Sequence, residues 1–185
     1  MPEVSLAGYE HGSWNSFVYD FICRQKTAGN HITDYIVRQL PAQPPSTYLN
    51  DCKWIGGVLP VQWIYSRVLE LSYSSWDLEP FAKECGYDGP PFKWDKKRRF
   101  LIRCELDAIY FHLYGIDRDD VDYIMETFPI VKRKDDQKYG EYRTKLVILE
   151  CYDAMAEAMK TGRPYQTILD PPPADPRVAH PPKEA

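Results

Sequence analysis

The sequence predicts a mainly α-helical protein: a helical domain preceded by a short α/β segment and followed by a proline-rich disordered tail. Three observations lead there. Apolar residues recur at i, i+3, i+4 in successive blocks, glycines and prolines punctuate those blocks, and seven of the sixteen prolines fall in the last 23 residues. The 185 residues, 44% hydrophobic and 14% aromatic, suffice for one domain that buries roughly 70% of its unfolded surface.

In the first element, Ser13 stands where an N-cap belongs, and Trp14, Phe17, Val18, Phe21 and Ile22 form a short amphipathic stripe that ends near Arg24. Residues 25–30 are small and polar, a loop leading to the β-branched run 32–40, which reads as a short turn or strand. Pro41, Pro44 and Pro45 favour an extended connector to about Asn50. Residues 1–58 therefore form the first segment.

The second segment spans 59–162. Pro60 can open a helix carrying Val61, Ile64, Tyr65, Val68 and Leu69, running to about Tyr73. Asp77 caps a shorter helix stopped at Gly86, and Asp88-Gly89-Pro90-Pro91 is a turn. Asp95 caps a long helix through Tyr114, halted by Gly115. Asp117 starts another, with Val121, Ile124, Met125 and Phe128 on one face and Pro129 as its end, after which a basic loop is expected. From Gly140 a last helix carries Leu146, Leu149, Tyr152 and Met159 and stops at Gly162. Residues 163–185, rich in proline and poor in apolar side chains, are expected to be disordered or extended.

A formal net charge of -4 and a pI near 5.6 argue against a generic nucleic-acid coat, so any DNA contact has to come from local basic patches. Five scattered cysteines, Cys23, Cys52, Cys85, Cys104 and Cys151, without any C-x-x-C, fit reduced thiols in the cytoplasm and no metal site. No apolar stretch has the length of a membrane span.

No catalytic or cofactor-binding set emerges. Asp170-Pro171-Pro172-Pro173 resembles the Asp/Asn-Pro-Pro-aromatic motif of amino-methyltransferases, but proline replaces the ring that stacks on an extruded base, and no glycine-rich cofactor loop precedes it. The four histidines are scattered, His112 reading as a packed helix residue. Glu105 and Asp107 are two apart in one helix, hence on different faces and ill-suited to paired acid/base work.

Basic residues cluster twice: Lys93, Lys96, Lys97, Arg98, Arg99, and then Lys132, Arg133, Lys134 with Lys138, Arg143 and Lys145 beyond. Such runs are either solvated faces or phosphate contacts that position a duplex without reading it. Tyr139 and Tyr142 interleave with the second cluster, and Asp135 and Asp136 dilute its field.

Several blocks carry a family resemblance. Residues 15–21 (NSFVYDF), 24–26 (RQK) and 36–41 (IVRQLP) with Pro44-Pro45 resemble the end of the target-recognition region of large adenine-N6 DNA methyltransferases of type IIG and related phage-defence systems. Residues 76–78 (WDL), 87–92 (YDGPPF), 105–108 (ELDA), 112–115 (HLYG), 127–134 (TFPIVKRK) and 139–145 (YGEYRTK) are similar to the extreme C-terminus of the same enzymes. The family usually has Gly-Gly-Thr where Ala28-Gly29-Asn30 stand, which questions close DNA approach at that loop.

The resemblance implies that the α/β segment is left over from a target-recognition domain and that the chain is a non-catalytic DNA-recognition and scaffold part of a restriction-modification or phage-defence methyltransferase. Its expected partners are double-stranded DNA and a catalytic methyltransferase chain or domain, and S-adenosylmethionine is expected only on that catalytic part. Candidate phosphate contacts are Arg24, Lys26, Lys132, Arg133, Lys134, Arg143 and Lys145. The alternative is a helical protein-interaction subunit, or a truncated remnant, docking on a methyltransferase or helicase through residues 60–162, with Tyr110, Phe111 and Tyr114 serving either core or interface.

Overall fold

The computed structural model describes residues 3–183 except 28, 30 and 51. Among them are ten α-helices, three short 3-10 turns and no strand, only an isolated bridge between Phe92 and Ala179. The mainly helical class is as the sequence predicts, whereas the α/β character of the first segment is not found. Helices α1 (Glu3–Trp14) and α2 (Phe17–Lys26) come first, with Ser16 rather than Ser13 capping α2 through the Tyr19 N–H. The β-branched run holds a single helical turn, α3 (Asp34–Val37), with Arg38 paired to Asp34 one turn back. An isolated run offers no neighbouring strand to take its backbone groups, so it closes its hydrogen bonds locally. In the expected extended connector, Pro45 instead opens α4 (Pro45–Leu49), which buries Tyr48 against Tyr9 at a ring separation of 3.9 Å. Ala28 and Asn30 of the departing family motif lie outside the described residues.

In the second segment most caps stand where expected, but Asp77 does not cap: it lies inside a 3-10 turn, and Leu78 precedes the next helix without a side-chain cap because the turn runs directly into it. Pro60 opens α5 (Pro60–Ser72), and α6 (Glu79–Glu84) follows a 3-10 turn at Trp76–Leu78. Asp95 caps α7 (Lys96–Leu113) by accepting the Arg98 N–H at 2.9 Å, and Asp117 caps α8 (Arg118–Glu126) by accepting that of Asp120 at 3.0 Å. The expected basic loop is helical: Pro129 is the first residue of α9 (Pro129–Tyr139) as well as the stop for α8, because proline's missing N–H is unneeded in a first turn. Gly140, at φ 77°, ends α9 in the left-handed conformation, and Asp135 reaches forward to accept the Thr144 N–H in the first turn of α10 (Arg143–Thr161).

The core is built on α7 and α10, with Ile102, Ile109, Phe111, Ile148 and Met155 fully buried. Tyr9, Val18, Tyr48 and Ile55 of the first segment join the same core. The closeness of α1 depends on Gly12, where a Cβ would overlap the Tyr110 hydroxyl, which itself donates to the Tyr9 carbonyl at 2.7 Å.

The tail is ordered, contrary to expectation. Tyr165, Leu169 and Ala179 are buried, and Pro176–Val178 form a 3-10 turn. Two buried ion pairs between α5 and α7 hold it. Arg67 meets Glu105, with Nε and Nη2 both 2.8 Å from Oε2, while Glu105 Oε1 accepts the Tyr165 hydroxyl (2.8 Å), the Thr167 hydroxyl (2.7 Å) and the Ile168 N–H (3.0 Å). Glu70 pairs with Arg98 and accepts the Ala174 N–H at 2.8 Å, and Arg98 donates onward to the carbonyls of Pro171 (2.7 Å) and Pro172 (3.0 Å). Composition suggested disorder because it counts apolar residues, whereas here polar backbone groups satisfy buried charges.

Removing residues 163–185 therefore leaves Glu105 without three of its donors. The urea midpoint should fall by the equivalent of at least about 3 kcal/mol, where an unstructured tail would leave it unchanged.

Asp107 is almost fully buried and accepts the Phe17 N–H at 2.8 Å, joining α2 to α7. Burial outweighs that bond and the nearby Arg103 and raises its carboxyl from 3.8 to about 7. The folded protein thus holds this proton more tightly than the unfolded chain. Its stabilising contribution is complete below about pH 4 and is lost as pH rises toward 7, on the order of 1.4 kcal/mol per pH unit. Thermal melts from pH 4.5 to 7.5 should show this decline in the parent protein relative to Asp107→Asn, which keeps a carbonyl for Phe17 and has no proton to lose.

Candidate nucleic-acid interface

On α7 the residues Lys96, Arg99, Phe100 and Arg103 fall at i, i+3, i+4 and i+7, one stripe of the helix, with Lys97 beside it. The reversal at Gly140 brings the end of α9, Lys138 and Tyr139, together with the first residue of α10, Arg143, to face that stripe. Trp94, immediately ahead of the Asp95 cap, closes the group. These residues line an open cleft of about 480 Å³ that joins the two basic clusters of the sequence.

The cleft alternates rings and cations. The Arg99 guanidinium lies 3.7 Å over the Trp94 ring, and that of Arg143 sits 4.5 Å from Phe100 and 4.8 Å from Tyr139, with Lys138 also over Tyr139 at 4.8 Å. Burial first, and then the like charge of Arg103, lowers the Arg99 pKa, although a guanidinium stays cationic at any working pH. Hydrogen bonding with Lys138 leads the causes that lower the Tyr139 phenol. Six cations and no carboxylate line the cleft, so an anion entering it relieves repulsion. The lining residues include no histidine, cysteine, serine or carboxylate.

Of the seven residues named from sequence, Arg143 lines the cleft. Lys134 is exposed one turn before Lys138 on α9, and Arg133 is exposed beside it, neither of them lining the cleft. Lys132 is paired with Glu126 at 2.7 Å, and Lys145 with Asp122 at 2.9 Å and with Glu126. Both are held by the acidic face of α8. Arg24 and Lys26 lie on α2, outside the cleft, with Arg24 paired to Asp20 at 2.7 Å and lying over Phe128. The sequence reading missed Lys96, Lys97, Arg99, Arg103, Lys138 and the three rings as site residues. The i, i+3, i+4, i+7 stripe on α7 was the available signal.

The other sequence candidates have structural surroundings. His112 stacks on Tyr152 at 3.8 Å with Nε2 3.0 Å from the Tyr152 carbonyl, and burial lowers its pKa. The prolines after Asp170 supply acceptors to Arg98. Tyr110 and Phe111, offered as core or interface, are wholly core. Among the described residues, no group of three or more His, Cys, Asp or Glu is placed to hold a metal, and no helix is long and apolar enough to cross a membrane.

If the cleft is a polyanion site, tripolyphosphate at ten times its Kd should stabilise the fold by about 1.4 kcal/mol. The thermal midpoint should then rise by roughly 3–5 °C. Lys96→Ala combined with Arg103→Ala should abolish the rise, and an equal rise in that double variant would place the anion elsewhere.

Comparison with protein-family models, with curated proteins and with solved structures finds no match to this chain.

Proposed function

We propose that this chain is a non-catalytic DNA-contacting scaffold serving an adenine-specific DNA methyltransferase of the restriction-modification or phage-defence kind, in the cytoplasm. The observation that carries the DNA reading is the cleft with six cations and no carboxylate in a chain whose net charge is -4. The sequence resemblance supplies the methyltransferase. On this reading the methyl donor and the catalytic groups sit on a partner chain or domain, and Lys96, Lys97, Arg103, Lys138 and Arg143 take phosphates, with Arg133 and Lys134 flanking them. Lys132 and Lys145 contribute less, since Glu126 already neutralises them.

Fluorescence-anisotropy titration with a mixed-sequence duplex at several salt concentrations tests this. Replacing Lys96, Lys97, Arg103 and Lys138 together by alanine should weaken binding and flatten the slope of log K against log salt by about 3–4. Replacing Lys132, Arg133 and Lys134 should have the smaller effect. Parent-like affinity and slope in the fourfold variant would sink the assignment of the cleft.

A further inference from the structure

We infer that the cleft receives an unpaired nucleotide, with its base stacked on Trp94 and its phosphates held by the surrounding cations, so that the chain prefers single-stranded or locally unpaired DNA to intact duplex. This rests on the nucleic-acid reading above and deepens it.

Phosphate binding accounts for the cations but does not call for rings that remain exposed after packing against them. Trp94 is 63% exposed and Tyr139 41% exposed, and both line a cleft whose remaining residues are six cations and Phe100. Intact duplex offers a protein its phosphates and groove edges, while its base faces remain stacked inside. An unpaired base offers a free π-face, and alternating rings and cations are how sequence-tolerant single-strand sites hold successive nucleotides. The volume of about 480 Å³ falls within the range of small-ligand pockets and suits a single nucleotide.

The platform is also fixed in advance. Arg99 lies 3.7 Å over the Trp94 ring and is itself anchored by donating to the Leu71 carbonyl at 2.8 Å, and Trp94 remains 63% exposed. The backbone beside Trp94 is tied down at Lys93, whose N–H donates to the Val178 carbonyl at 2.9 Å, and by the Asp95 N–H to the Lys93 carbonyl at 3.0 Å. A base arriving on the ring extends the existing Arg99–Trp94 stack, so part of the ordering it needs is in place beforehand. The lining holds no Asn, Gln, Asp or Glu, the side chains that pair bidentately with adenine or accept from cytosine, which fits a sequence-tolerant site.

Three labelled probes of one sequence test the inference on the full chain by anisotropy at fixed salt: the intact duplex, the same duplex with a single-nucleotide bulge, and the single strand. The parent protein should bind the bulged and single-stranded probes more tightly than the duplex. Trp94→Ala should lower single-strand affinity by about 5- to 100-fold and remove that preference, while Trp94→Phe retains most of it. Equal affinity for single strand and duplex in the parent, or an unchanged preference in Trp94→Ala, overturns the stacking inference while salt-sensitive duplex binding keeps the wider reading. Absence of binding to all three probes overturns both.

Discussion

Glu105 is a carboxylate with no access to solvent, and the positions of three segments follow from the need to satisfy it. Arg67 comes from α5, the carboxylate itself from α7, and the hydroxyls of Tyr165 and Thr167 with the Ile168 N–H come from the tail. An isolated buried charge costs several kcal/mol, and removing one partner of a buried pair typically costs 3–5 kcal/mol. The second pair, Glu70 with Arg98, repeats the arrangement with the donor and acceptor exchanged between α5 and α7. Its partners in the tail are mostly proline carbonyls. Proline suits such a path because it brings an acceptor without an N–H that would itself need a partner.

The tail anchored in this way reaches the backbone just ahead of Trp94. Beyond Ala174 it forms the 3-10 turn whose last residue, Val178, accepts the Lys93 N–H, and the His180 N–H donates to the Pro91 carbonyl at 2.8 Å. Phe92 is packed with Tyr73 and Ala179 in a second small core. The backbone that carries Trp94 therefore owes its placement to residues about 85 positions later in the chain. Charge is segregated along the same lines. Acidic residues of α8 take Lys132 and Lys145, Asp135 caps α10, and the cleft keeps cations that no lining carboxylate offsets.

The N-terminal helices are fastened to the same long helix by polar contacts as much as by packing. Phe17 donates its N–H to Asp107, Tyr110 donates to the Tyr9 carbonyl, and the Tyr114 hydroxyl donates to the Pro41 carbonyl at 3.0 Å. Together with Arg98 and Glu105, α7 and its C-cap Tyr114 thus present polar side chains to the tail, to α1, to α2 and to the segment ahead of α4, while the apolar residues of α7 fill the core.

What the sequence alone determined is local. Asp95 and Asp117 as caps, Pro60 as an opening residue, and Gly115 and Gly162 as stops act through their own φ/ψ preferences or hydrogen bonds three residues away, and each stands where the sequence placed it. The helical class followed from the same signals. The basic clusters were visible, and Arg143 was named, but which of their cations remain unpaired depends on neighbours such as Glu126 and Asp122 that arrive by folding. Pro129 and Pro45 were read as breakers because proline's exclusion from helix interiors and its fitness for a first turn look alike without the residues that follow. Only the tertiary structure decided that the proline-rich tail is ordered and that Trp94, α7, α9 and α10 share one cleft. The first depends on satisfying buried charges across roughly 60 to 100 residues of chain and the second on which helix faces meet after folding, neither of which periodicity and composition encode.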